Sequence, residues 1–158
     1  LIMARDIHQW IEDYGVSHQN STNKKIHWVC VPVIMFTLLG LLSLVKFNLG
    51  SFSINLVYIL IVLAWLFYLR LSIKISVGMF LISAISLVGI YQLEKFIGLE
   101  NGNLFFIYLG TFVLAWIGQF IGHKIEGQKP SFFEDLQFLL IGPAWLLSFI
   151  YKKLGIRY

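Results

Sequence analysis

Five stretches in which apolar residues follow one another with almost no charge punctuate the chain, over 26–45, 52–69, 75–91, 104–121 and 136–151. A helix that crosses a bilayer takes about 20 residues, and about 17 suffice, so the first four runs predict membrane spans. The fifth is the shortest and carries Gly142-Pro143 at its middle, where a proline removes a backbone donor and bends or breaks a helix. Four full spans followed by a bent or re-entrant fifth helix are therefore predicted. Upstream, Ile7, Trp10, Ile11 and Tyr14 recur at i, i+3, i+4 and i+7, which is one face of a helix over 4–14 expected to lie in the membrane interface. Gly15 ends that helix, and a polar stretch over 17–25 follows it. Ser131 and Glu134 have the spacing of a capping box just ahead of the fifth run.

Composition strengthens this picture. Of 158 residues, 58% are hydrophobic and 13% charged, against about 25% charged in an ordinary soluble domain. A water-soluble globule is excluded, and the expected fold is all-α: a polytopic membrane helix bundle forming a single integral membrane domain over 1–158. The net charge of +4 comes from 12 Lys and Arg scattered along the chain, without the basic patch that nucleic-acid binding needs; membrane lipid is the expected partner. Arg5, Lys24, Lys25, Arg70, Lys74, Lys124 and Lys129 fall on the side of the N-terminus, and Lys46 and Lys95 opposite, so the first side is predicted to be cytoplasmic. Lys152, Lys153 and Arg157 join it only if the fifth segment turns back. Leu1 to Trp10 mix Arg5, Asp6 and His8 with apolar residues, unlike a signal peptide. The lone cysteine, Cys30, lies in an apolar run and reads as packing.

Chemistry concentrates at one boundary. His18 lies in the polar stretch, His27 opens the first span and His123 closes the fourth, all on the predicted cytoplasmic side. Asn20, Asn23 and His27 share one helical face, and Trp116, Gln119, His123 and Glu126 another. Polar groups at such depth usually face a bundle interior or a cavity, and imidazoles with open positions suit Fe(II) and oxygen chemistry. Spacing alone leaves two readings open: a shared metal site, or histidines at headgroup level bonding water and phosphate. His8 falls off the apolar face and reads as solvated. Glu134 and Asp135 read as helix caps, Trp28, Trp65, Trp116 and Trp145 as interface anchors or core, and Glu94, Lys95 and Glu100 as a solvated loop on the far side.

The run Tyr14-x3-His18-x-Asn20-x2-Asn23-x3-His27-x4-Pro32, with Trp116-x2-Gln119-Phe120-x-Gly122-His123-x2-Glu126-x3-Pro130 downstream, resembles the small membrane family of yeast-type 2-hydroxy fatty acid dioxygenases. The resemblance covers nearly the whole chain. It implies an Fe(II)-dependent enzyme that uses O2 to shorten a long-chain 2-hydroxy fatty acid by one carbon, a fatty acid α-oxidation that in yeast serves degradation of a sphingoid base. It implies iron held by His18, His27 and His123, and a site at the cytoplasmic face of the inner membrane in a bacterium or of the endoplasmic reticulum in a eukaryote. Where fungal members can carry a second histidine after the first, this chain has Gln19, which leaves Glu126, Gln119, Asn23 or water as candidates for a fourth ligand. Glu126 comes first because a carboxylate balances the charge of Fe(II). His18, His27, His123 and Glu126 are thus the expected catalytic residues, with Asn20, Asn23 and Gln119 beside the cofactor. Two rival readings differ in kind. A non-catalytic membrane transporter or scaffold would hold no metal, and a di-iron desaturase or hydroxylase would need more ligands than four histidines supply.

Overall fold

Helix signals at the N-terminus begin the architecture. In a computed structural model, which describes residues 6–98, 103–127 and 138–158, Asp6 and Gln9 form a reciprocal capping box that starts α1, Ile7–Val16. After a short loop Asn20 caps α2, Ser21–Ser43, its side chain accepting the N–H groups of Thr22 and Asn23. A hairpin follows, β1 Lys46–Leu49 and β2 Phe52–Asn55, joined through Gly50 at φ 62°. Then come α3 Leu56–Leu71, α4 Ile73–Ile97, α5 Asn103–Glu126 and α6 Ile141–Lys153.

The described residues thus form six helices and one small hairpin. Three of them, α2, α4 and α5, are long and apolar enough to cross a membrane. The run predicted as a span over 52–69 differs: its first four residues are strand β2, and the 16-residue α3 rises about 24 Å, short of the roughly 30 Å hydrocarbon core. Outward faces of α3, α4 and α5 carry Val62, Leu63, Phe80, Ile85, Phe106 and Leu114, all exposed, as a surface solvated by lipid requires. Four hydroxyls inside the bundle are satisfied locally: Thr37, Ser76, Ser86 and Ser148 donate to carbonyls three or four residues back.

Helices α2 and α5 run antiparallel in close contact. Gly40 faces the ring of Tyr108, and Gly118 faces Cys30 Sγ, both closer than a Cβ would permit. At the opposite end from His27, Ser43 Oγ donates to Glu94 at 2.7 Å. Glu94 and Lys95 therefore belong to the last turns of α4 rather than to a solvated loop, and Glu94 ties α4 to α2. Glu100, and with it the expected capping box of Ser131 and Glu134 and the cap at Asp135, lies outside the described residues.

The α1 stripe is covered by protein: Ile7, Ile11 and Tyr14 are buried in one cluster with Ala144, Trp145, Leu146 and Leu147 of α6. An apolar stripe specifies burial but does not distinguish lipid from a neighbouring helix. Pro143 sits in the first turn of α6, where its missing N–H costs no helical hydrogen bond. The contacts of α6 all lie toward one end of the bundle: Gly142 against Tyr14 and Val31, Leu147 and Tyr151 against Gly78, and Tyr151 Oη donating to the Lys74 carbonyl. Tyr158 stacks on His8.

Candidate metal centre

Three histidines from three parts of the chain meet at that end. The α1–α2 loop supplies His18, the second turn of α2 supplies His27, and the last turn of α5 supplies His123. None is more than 7% exposed. Ring centroids of His18 and His27 lie 4.2 Å apart, those of His27 and His123 5.0 Å, and those of His18 and His123 5.2 Å.

Hydrogen bonds fix which nitrogen two of the rings offer. His18 Nδ1 lies 2.6 Å from the Tyr14 carbonyl, and His27 Nδ1 lies 3.0 Å from the Asn23 carbonyl. A carbonyl only accepts, so each Nδ1 carries the proton and Nε2 carries the lone pair. Metal-binding imidazoles are oriented in this way, with the second nitrogen donating to a carbonyl or carboxylate. One ligand atom from each of the three residues lies within 4.8 Å of the others. Two nitrogens on one tetrahedral ion are about 3.4 Å apart, so closing on a metal draws the ligand atoms together by up to about 1.4 Å. The donor set, its burial and the tautomers of His18 and His27 therefore fit a divalent transition metal.

Glu126 stands outside this cluster and acts as a clasp. Its carboxylate accepts the backbone N–H of Gln19 at 2.7 Å, that of Asn20 at 2.9 Å and the Nδ2 of Asn23 at 2.9 Å. The residue one turn after His123 thus holds the loop that carries His18. Asn23 is fully buried, and its Oδ1 lies against Gly122, where no Cβ could fit. Asn20 is used as the cap of α2, with its side chain on Thr22 and Asn23. Gln119 is buried one turn before His123.

Two aromatic walls were not among the candidate residues. Tyr14 stacks flat on His18, with centroids 4.2 Å apart and planes at 9°, and Trp145 lies 5.2 Å from both rings. Tyr14 is four residues before His18, a helical spacing that could have signalled the stack. Trp145 comes from α6, and no local spacing encodes it.

A cavity of about 220 Å³ opens beside His123. His123, Gln119 and Tyr14 line one end, and Met35, Leu39, Leu60 and Ile61 the other. Its walls are otherwise almost wholly apolar. Tyr68 Oη donates to the Leu140 carbonyl at 2.5 Å, fixing the turn that leads into α6 along one wall.

A helical membrane protein with a buried three-histidine cluster at the mouth of an apolar cavity is the class these features define. Residues 4–154 match the family described as Mpo1-like, 2-hydroxy-palmitic acid dioxygenase. The chain is also 30% identical over 155 residues to the 2-hydroxy-palmitic acid dioxygenase MPO1 of Saccharomyces cerevisiae, covering 95% of this chain and 82% of the yeast protein. The chain belongs to the Mpo1-like family. No solved structure matches it.

Proposed function

We propose that the protein is an Fe(II)-dependent dioxygenase that shortens a 2-hydroxy fatty acid by one carbon. The observation that carries this reading is the junction of a buried three-histidine cluster with an apolar cavity, supported by membership in a family named for a 2-hydroxy acid dioxygenase. His18, His27 and His123 would hold the iron. When bound, it would supply the activation of O2 and a point of attachment for the carboxylate and hydroxyl of the acid.

This chain's own residues do the remaining work. The Tyr14 and Asn23 carbonyls keep His18 and His27 in the tautomer that ligates. Glu126 holds the His18 loop against α2, and Gln119 offers an amide to the polar head of the acid. Leu39, Leu60 and Ile61 receive the tail and exclude water from it.

The stoichiometry needs no second organic substrate. With the released carbon written as CO2, R–CH(OH)–COOH and O2 give R–COOH, CO2 and water. Carbon 2 loses three electrons and carbon 1 loses one, which together reduce O2 completely. The charge distribution supports a site at the cytoplasmic boundary: Lys24, Lys25, Arg70, Lys74, Lys124, Lys152, Lys153 and Arg157 lie toward the histidine end, whereas Lys46 and Lys95 lie toward the other. In that arrangement α2, α4 and α5 cross, the chain returns between α2 and α4 through β2 and α3 together, and α6 turns back.

Purified protein supplied with Fe(II) and O2 should convert a long-chain 2-hydroxy acid to the acid one carbon shorter without any added 2-oxo acid, and His123→Ala should abolish turnover. Full activity of the alanine variant with iron still bound would overturn the assignment.

A further inference from the structure

The cavity that touches His123 is closed at its other end by a second knot of side chains. Leu39, Val57 and Ile90 are buried together there, with Met35, Leu60 and Ile61 packed against them. Leu39, Leu60 and Ile61 therefore serve two purposes at once: they line the cavity and they belong to the core behind it. Val57 and Ile90, at 1% and 2% exposure, seal the space beyond. A chain longer than the cavity cannot advance without opening a close-packed core.

Polarity fixes the direction of a bound amphiphile. His123 and Gln119 stand at one end and hydrocarbon at the other. A polar head placed among Leu39, Leu60 and Ile61 would lose its hydrogen bonds to no gain. Length follows from helix geometry: Val31 and Leu39 of α2 both line the cavity, and the rise between them is about 12 Å, the length of an extended alkyl chain of roughly nine carbons.

We propose that Leu39, Leu60 and Ile61 form a floor that sets the longest acyl chain the site accepts. For its substrate class this rests on the 2-hydroxy acid reaction proposed above. Each methylene received on the apolar wall gains about fourfold in kcat/KM, whereas one beyond the floor gains nothing and pushes the polar head away from His123, so activity rises to one chain length and falls beyond it.

The test uses the full chain in detergent with straight-chain 2-hydroxy acids of graded length. Two quantities are read for each acid: kcat/KM with Fe(II) and O2, and the rise in Tm that the acid produces. Leu60→Ala deepens the floor and Ile61→Trp raises it; both positions are only partly buried, and the Tm of each variant without acid verifies folding. Leu60→Ala should move the optimum about two carbons longer, and Ile61→Trp should lose long acids before short ones. Unchanged length profiles, or equal losses at every length, overturn the floor. If the wild-type protein turns over no acid, the functional reading fails by itself, and the floor is judged on Tm. The length at which the Tm rise stops growing must then move in opposite directions in the two variants, and a limit shared with wild type overturns it. Should Ile61→Trp fail to fold, Leu60→Ala decides by the same two readings.

Discussion

Glu126 Oε2 accepts a hydrogen bond from Asn23 Nδ2 at 2.9 Å, joining residues 103 positions apart. Asn23 in turn presents its carbonyl to His27 Nδ1, and Glu126 also holds the backbone of Gln19 and Asn20 next to His18. One carboxylate thereby sets the mutual position of two histidines, while the helix that carries it supplies the third.

Glu126→Gln should therefore separate a clasp from a ligand. An amide offers one oxygen, and its NH2 opposes N–H donors that the carboxylate accepts. We expect iron to remain bound while turnover falls about 10–100-fold, the usual cost of losing a residue that orients metal ligands. Iron analysis and turnover on the same preparation check this. Loss of iron from a folded variant would make Glu126 a ligand instead.

Two glycines of α5 should behave oppositely. At Gly122 an added Cβ collides with Asn23 Oδ1 and presses on His27, whereas at Gly110 it meets open space. Gly122→Ala should destabilise the protein by about 1–3 kcal/mol, as overpacking does, and should weaken metal retention. Gly110→Ala should be neutral or stabilising by up to about 1 kcal/mol, because alanine is the better helix former. Thermal unfolding in detergent distinguishes the pair.

Much of this arrangement is legible in the sequence, and the omissions share a physical cause. The uninterrupted apolar runs mark α2, α4 and α5, and the steps Asn23 to His27 and Gln119 to His123 to Glu126 place polar groups on single helical faces before any contact is known. Phe52-Ser53-Ile54-Asn55 alternates with the period of a strand, yet it abuts the apolar run of α3 and merges with it in a span-length window. The α1 stripe predicts burial correctly but not the cover, because helix and lipid present equally apolar surfaces. Contacts such as Trp145 on His18 and Ser43 on Glu94 join distant segments, and no local period carries them.

Sidedness is open to labelling. In a Cys30→Ala background, single cysteines at the exposed positions Glu12, Ser51 and Lys153 can be tested with a membrane-impermeant thiol reagent. Glu12 and Lys153 should react from one side and Ser51 from the other. Reaction of Glu12 and Lys153 from opposite sides would mean that α6 crosses, and would remove the shared side proposed for the termini.

Iron content tests the central claim most directly. Wild-type protein reconstituted anaerobically with Fe(II) and freed of excess metal should retain about one iron per chain, the amount a mononuclear three-histidine site holds. The His18→Ala, His27→Ala and His123→Ala variants, each verified as folded by thermal unfolding, should each retain far less. Wild-type protein that binds no iron, or three variants that all keep a full complement, would contradict the account.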